Sequence, residues 1–356
     1  MKLQILPPHV NVSEYKFTVN DDQNKEIYYG LGAIKGAGEA ALESIITERK
    51  DSGEFADLFD FCRRIDLRKA SRRVLEPLIK CGALDKLGPN RATMLASLET
   101  AIKSAEKHSN DNAAGQNDIF ASPSQTKVKK DSPFIKDITE WKQAKYLNAE
   151  KESLGFYLSG HPIEPYLFEL SQLTRNRLAN IKLTGNKQSM RIAGLLTGLR
   201  TSLNKKGTKI AFLTLDDSTA KMDVKIYSEL YGTVQNILVK DTLLIAEGEV
   251  RVDDYNGGYS MTAKNITTFE TARENYANRL EINIIAEQTA DKEFAHKLVA
   301  ILDTYRKGRC LVLINYKYAD TQVELALGNE WRVKPNAELL EQLEELVGDG
   351  KVRVIY

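Results

Sequence analysis

The chain has 356 residues and a mass of 40.0 kDa, with 50 Lys and Arg against 49 Asp and Glu, a formal net charge of +1. At roughly 100–200 residues per domain this length allows two to three domains, and 42% hydrophobic with 28% charged residues excludes a wholly disordered chain. No run approaches the ~18 apolar residues of a membrane helix, Met1–Pro8 is too short for a secretory signal, and three isolated cysteines (Cys62, Cys81, Cys310) fit a reducing cytoplasm rather than a disulfide framework.

Residues 1–30 read as a polar, extended lead with Pro7-Pro8 and a short alternating strand at Tyr15–Val19. From Leu31 to about Lys107 the pattern turns helical. Ala41, Leu42, Ile45 and Ile46 share one face, Val74, Leu75, Leu78 and Ile79 a second, and Met94, Leu95, Leu98, Ala101 and Ile102 a third.

The first of these helices is preceded by Leu31-Gly32-Ala33-Ile34-Lys35-Gly36-Ala37-Gly38, the turn of a helix-hairpin-helix unit. Glycines suit a sharp turn with close backbone approach. The amides of Gly36, Gly38 and Glu39 would open a helix N-terminus, a ready site for a DNA phosphate. Gly-rich turns also join helices that bind nothing, so both readings stand. A degenerate second copy runs from Leu78 to Arg91 and contains Lys80, Gly82 and Lys86. Residues 63–91 hold nine basic side chains (Arg63, Arg64, Arg68, Lys69, Arg72, Arg73, Lys80, Lys86, Arg91) against three acidic ones. A local charge of +6 beside two phosphate-type turns favours duplex binding.

Residues 109–133 are built of Ser, Asn, Asp, Gly, Gln, Thr, Pro and Lys, a composition that reads as a flexible linker. Within it, Gln116-Asn117-Asp118-Ile119-Phe120 sets two large apolar side chains where no core can bury them. Such a pair serves as an anchor for a partner's pocket. The five residues fit the pentapeptide by which bacterial proteins bind the sliding clamp. A helix over 138–154, the turn Ser159-Gly160-His161-Pro162 and a short helix over 166–173 follow, His161 reading as a turn residue.

Between Met190 and about Glu270 the period changes to two. Strands at 191–199, 209–215 and 222–227, a helix at 228–238, and strands at 242–252 and 259–268 make the order of an OB-fold barrel. Its first hairpin, 200–209, carries Arg200, Lys205, Lys206 and Lys209 and no acid. Phe212, Tyr227, Tyr255 and Tyr259 are the aromatics available to stack on bases, or to fill the barrel. After Leu280 come a strand (280–285), a helix (292–305), strands (310–316, 322–327), a helix ending at Val347 and a strand at 352–355. That stretch has 10 Lys and Arg against 13 Asp and Glu, a net −3 that suits a protein partner better than phosphate. Its last helix bears a stripe of Leu339, Leu340, Leu343 and Leu346, which packs either on its own sheet or on a partner.

Nucleotidyl transfer needs carboxylates gathered around metal ions. Asp216-Asp217 and Asp253-Asp254 sit at strand ends or turns, no Asp-x-Asp occurs, and there is no Walker lysine loop or Gly-x-Ser-x-Gly. His9, His108, His161 and His296 lie far apart, without zinc-site spacing. No catalytic or metal-binding residue is expected.

Read along its whole length, the chain resembles the C-terminal region of the alpha subunit of bacterial replicative DNA polymerase III, a C-family polymerase. The resemblance is carried by Tyr28–Gly38, by Leu154–Pro162, and by Ala193–Leu196, Lys205-Lys206-Gly207 and Ala211–Asp217. It implies a multidomain α+β chain: the end of a fingers region (1–30), a tandem helix-hairpin-helix domain (31–108), a linker with an internal clamp motif (109–133), a helical connector (134–189), an OB-fold domain (190–275) and a small α/β C-terminal domain (276–356). It implies as partners duplex and single-stranded DNA, the sliding clamp (beta) and, through the last domain, the tau subunit of the clamp loader. The family's palm carboxylates, which would hold Mg2+, have no counterpart here, so the chain is expected to be an inactive fragment of the polymerase, without a cofactor of its own. An independent DNA-junction or repair protein built from the same modules is the alternative. An OB-containing tRNA-binding enzyme would carry synthetase motifs that are missing.

Overall fold

The computed structural model describes residues 4–21, 26–113, 138–203, 207–253, 257–285, 292–319 and 321–356. They fall into two units, Met1–Pro162 and Ile163–Tyr356. The stretch expected as one connector is thereby divided, its first part packing with the helices and its second with the barrel.

In the first unit the lead segment forms a small sheet. Strand β1 (Gln4–Leu6) pairs in parallel with β3 (Glu26–Tyr28), and β2 (Thr18–Asp21) pairs antiparallel to β3. The buried Arg49 guanidinium fastens this lead: Nη1 donates to the carbonyls of Val10 and Ser13, each at 2.8 Å, and Nη2 pairs with Glu14 at 2.9 Å. Helices α1 (Glu39–Ser52), α2 (Leu58–Arg64), α3 (Arg72–Lys80), α4 (Arg91–Ala113) and α5 (Gln143–Leu154) follow. The apolar stripes read from sequence enclose one core, with Leu42, Ile45, Leu58, Phe61, Leu75, Leu78, Met94 and Leu98 fully buried. Helix α2 has no sequence counterpart. Two turns are too short for periodicity to show, and its start is fixed instead by Asp57, whose carboxylate accepts from the Asp60 amide at 2.8 Å.

The second unit begins with α6 (Leu167–Leu173) and then forms a five-stranded barrel. Its strands are β4 (Lys187–Leu203), β5 (Lys209–Asp216), β6 (Lys221–Ile226), β7 (Leu243–Val252) and β8 (Tyr259–Thr268), with α7 (Ser228–Val234) between β6 and β7. The order round the barrel is β4-β5-β6-β8-β7, closed by β7 against β4. The seam of β6 with β8 is the parallel one and the shortest. Strict alternation on β5 puts Ala211, Leu213 and Leu215 inside and Phe212 and Thr214 outside.

Helix α8 (Phe269–Tyr276) continues directly from β8, capped by Thr268. The last sheet has the order β11-β10-β9-β12, from β9 (Arg279–Ile285), β10 (Arg306–Tyr318), β11 (Thr321–Ala326) and β12 (Val352–Ile355). The β9–β10 pair is parallel and crosses over through α9 (Lys292–Thr304), and α10 (Ala337–Val347) precedes β12. Leu339, Leu343 and Val347 are buried in that domain's own core. The leucine stripe of α10 is therefore packing, not a free face. All three cysteines are fully buried.

Candidate nucleic-acid interface

The two hairpin turns differ in what their backbone donors do. In the first, Leu31–Ala33 forms a single 3-10 turn rather than a helix, and Gly36 follows at φ +85°. Only glycine adopts that left-handed conformation without strain. Gly38 is the N-cap of α1 and carries no capping side chain. Among the described residues no protein group accepts from the amides of Gly36, Gly38, Glu39 or Ala40. The turn is exposed, as is Lys35, whose own amide donates to the Ser153 carbonyl at 2.8 Å and whose ammonium lies over Gly155. A Cβ at Gly38 would meet nothing within 4 Å. This is an open helix N-terminus on a rigid turn, able to accept an anionic oxygen.

The second turn is closed. Gly82, at φ +86°, is buried and ends α3 in a Schellman motif: its amide donates to Ile79 and that of Ala83 to Leu78. Gly82 thus serves the chain reversal and has no amide to offer a phosphate, contrary to the sequence expectation. Arg91 is likewise withdrawn. Only 3% exposed, it forks onto Asp85 (Nε to Oδ1 and Nη2 to Oδ2, both 2.9 Å) and donates through Nη1 to the Lys80 carbonyl and to buried Glu150. Burial works against its charge, but hydrogen bonding and attraction from Asp85 outweigh it and hold the pKa above the ordinary arginine value. A face of Tyr146 lies 3.9 Å from the guanidinium carbon.

The basic window from 63 to 91 is also less available than its count implies. Arg63, Arg64, Arg68, Arg72, Lys80 and Arg91 are all in ion pairs, several with acids outside that window: Asp60, Glu48, Glu99, Glu150 and Glu152. Lys69, Arg73 and Lys86 have no such partner among the described residues. Of the named contacts on the second hairpin, Lys86 remains exposed and Lys80 is tied to Glu152 at 3.0 Å.

On the barrel, register brings residues from three strands into one row. Arg200 of β4 pairs with Phe212 of β5, and Phe212 with Lys225 of β6, all on the outer face. Phe212 is 37% exposed and Tyr227 49%, so neither ring belongs to the core. The Lys225 ammonium stands 4.7 Å from the centre of the Tyr227 ring. Asp223, the neighbour of Lys225 on that face, accepts from Thr214 Oγ1 at 2.8 Å. Arg200, Lys209 and Lys225 have no acidic partner among the described residues, whereas Lys187, Arg191, Lys221 and Lys264 do. Lys225 was not among the residues singled out from sequence. Its signal was present in the alternation Lys221-Asp223-Lys225, but only the register sets it beside Phe212. Lys205 and Lys206, Tyr255, and the whole of Gln116–Phe120 lie outside the described residues.

Asp217, expected at a strand end, is 2% exposed and structural. It accepts from Arg177 Nε at 2.9 Å, from the amides of Leu178, Thr219 and Ala220, and from Thr219 Oγ1. Among the described residues no three His, Cys, Asp or Glu side chains are placed to hold a metal ion, and no helix is long and apolar enough to cross a membrane.

Three family models match the chain: the helix-hairpin-helix motif over residues 2–94, the OB-fold nucleic acid binding domain over 190–269, and the C-terminal domain of DNA polymerase III subunit alpha over 297–348. DNA polymerase III subunit alpha of Vibrio cholerae is 41% identical over 356 residues, 100% of this chain and 30% of that protein. The same subunit of Escherichia coli K12 is 39% identical over 357 residues, with the same shares. The chain therefore spans about 30% of the length of the curated relatives it matches. Among solved structures, a domain of replication protein A from Methanococcus maripaludis covers 26% of this chain and 93% of its own at 18% identity, with a TM-score of 0.22. A likeness that distant carries no argument about ligands.

Proposed function

This chain belongs to the family of DNA polymerase III alpha subunits, matching their C-terminal region, and we propose that it is the part of the replicative polymerase that holds DNA and ties it to its partners. The open N-terminus of α1 carries the reading for duplex DNA: uncapped amides behind a left-handed Gly36 form a backbone-phosphate site that is blind to sequence. The row of Arg200, Phe212 and Lys225 supports contact with the single-stranded template through stacking and charge. Gln116–Phe120 would engage the sliding clamp, and the domain after residue 276 the clamp-loader tau subunit, giving processive synthesis. No polymerisation chemistry is assigned to these residues.

The test is Gly38→Asp. An aspartate at this N-cap supplies its own carboxylate to the open amides, in space that the structure leaves free. The helix should keep its stability or gain a few tenths of a kcal/mol. Duplex affinity, read by fluorescence anisotropy, should fall, with single-strand affinity unchanged. Undiminished duplex affinity in a folded Gly38→Asp chain would remove the first hairpin from the interface.

A further inference from the structure

The first two amides of α1, those of Glu39 and Ala40, meet no protein acceptor. The equivalent amides of α4 do. Arg91 N donates to Glu140 Oε2 at 2.9 Å and Ala92 N to Glu140 Oε1 at 3.1 Å. The third is closed by Asn90, whose Oδ1 accepts from Thr93 N at 2.7 Å. One carboxylate, supplied from 48 residues away in sequence, thus spans both leading amides with its two oxygens. It also accepts from the Trp141 amide at 2.9 Å. A phosphodiester presents two anionic oxygens in a similar spread, and it is the ligand for which a hairpin of this kind is built.

Glu140 does not reach this position alone. Ile138 is strapped to the same helix end: its carbonyl accepts from Asn90 Nδ2 at 2.8 Å and Thr93 Oγ1 at 3.2 Å, and its amide donates to Thr93 Oγ1 at 3.0 Å. Residues 138 and 139 are exposed and Glu140 is half-buried, so the strap lies at the surface, where solvent and ligands can reach it. It is held by polar bonds to one helix terminus.

We propose that this strap is an autoinhibitory contact in which Glu140 occupies the second hairpin's phosphate position, leaving the first hairpin as the only one open to the duplex backbone. The inference rests on the reading of the hairpins as DNA-binding. Glu140 and a backbone phosphate compete for the amides of Arg91 and Ala92, and duplex engages the second hairpin only when the strap gives way. Two copies of one motif in tandem are thereby made unequal, by a side chain that belongs to neither.

The experiment uses the full 356-residue chain and a labelled primer–template duplex, with affinity measured across a salt series. Glu140→Ala is expected to tighten binding several-fold and to steepen the slope of log affinity against log salt by about 0.9, the value for one added phosphate contact. Glu140→Gln, which keeps one acceptor oxygen and loses the charge, is expected to fall between Ala and wild type, and it stands in if the Ala chain is less stable. Gly38→Asp is the control. If it weakens duplex binding while both Glu140 variants match wild type in affinity and slope, the strap is only a helix cap and the proposal is overturned. If Gly38→Asp has no effect either, the hairpin reading itself fails. Tighter binding with an unchanged salt slope also overturns it, because no phosphate would have been gained.

Discussion

Arg273 and Glu169 meet as a parallel fork, Nε donating to Oε2 at 2.8 Å and Nη2 to Oε1 at 2.7 Å, across 104 residues of sequence. The arginine is 3% exposed. Its guanidinium carbon lies 4.6 Å from the centre of the Phe269 ring, and the Tyr356 hydroxyl donates to the same carboxylate at 2.7 Å. The pair joins α6, α8 and the C-terminal residue into one polar knot inside the second unit.

Breaking that knot from one side should be costly. Arg273→Ala leaves a buried carboxylate without its counter-charge, and such losses run to about 3–5 kcal/mol. Replacing both partners, as Arg273→Met with Glu169→Leu, removes the desolvation burden along with the attraction and should restore most of the stability. Urea unfolding of the single and double variants checks this. A double variant no more stable than Arg273→Ala would show that shape, not charge, decides the site.

Asp217 predicts a pH dependence. Burial by itself would raise its pKa, but the hydrogen bonds from Thr219, Leu178 and Arg177 outweigh it, and the net shift is downward. A carboxylate lowered in the folded state contributes stability above its unfolded pKa and loses it as the pH falls through the folded one. Wild-type barrel should therefore lose stability below about pH 4, and Asp217→Asn should be weaker at neutral pH yet flatter across that acid range. Thermal melts at pH 3 to 7, as an order-of-magnitude window, give the comparison; parallel curves for both proteins would contradict it.

Phe212→Ala should cut affinity for an unstructured oligonucleotide by about 1–3 kcal/mol, the worth of one stacked base. Lys225→Ala should weaken it less and reduce the salt slope by about 0.7. Neither change touches the barrel interior, so melting temperatures should hold. Wild-type binding by both variants would leave the row as ordinary surface.

Ile119→Ala with Phe120→Ala should weaken binding to purified sliding clamp, since central anchors are worth about 2 kcal/mol or more each. DNA binding should not change. Removing the residues after Leu280 should abolish tau binding, with duplex binding by the hairpins as the control for folding. Full tau affinity in the shortened chain would place that contact elsewhere.

The strands of the barrel and of the last sheet were legible in sequence because one buried face imposes a period of two, as in Ala211, Leu213 and Leu215. What escaped was cut short or disguised. Helix α8 runs on from β8 with no glycine or proline to announce it, only the cap at Thr268. Strand β10 begins at Arg306, four residues before the expected start, because Arg306-Lys307-Gly308-Arg309 shows no alternation. Its register there is set by backbone bridges to Val333, so close that a Cβ at Gly308 would overlap the Val333 carbonyl. The site was harder. Counting charges over 63–91 sees Arg91 as a cation for DNA, whereas Glu150, 59 residues on, and Asp85 have already claimed it. Glu140 had no local signal at all, since a cap donated from a distant segment leaves no pattern near the helix it closes.

The burial of Cys62, Cys81 and Cys310 has a practical corollary. Burial pushes each thiol up to about 12, so at neutral pH the nucleophilic thiolate is scarce as well as shielded. The folded chain should be silent to maleimides, with labelling appearing only as the cores open. A single cysteine placed on the surface, beside Gly38 or on the strap at Ile138, can then carry a fluorophore without first deleting the native three, and the rate at which the native three react becomes a clock for opening.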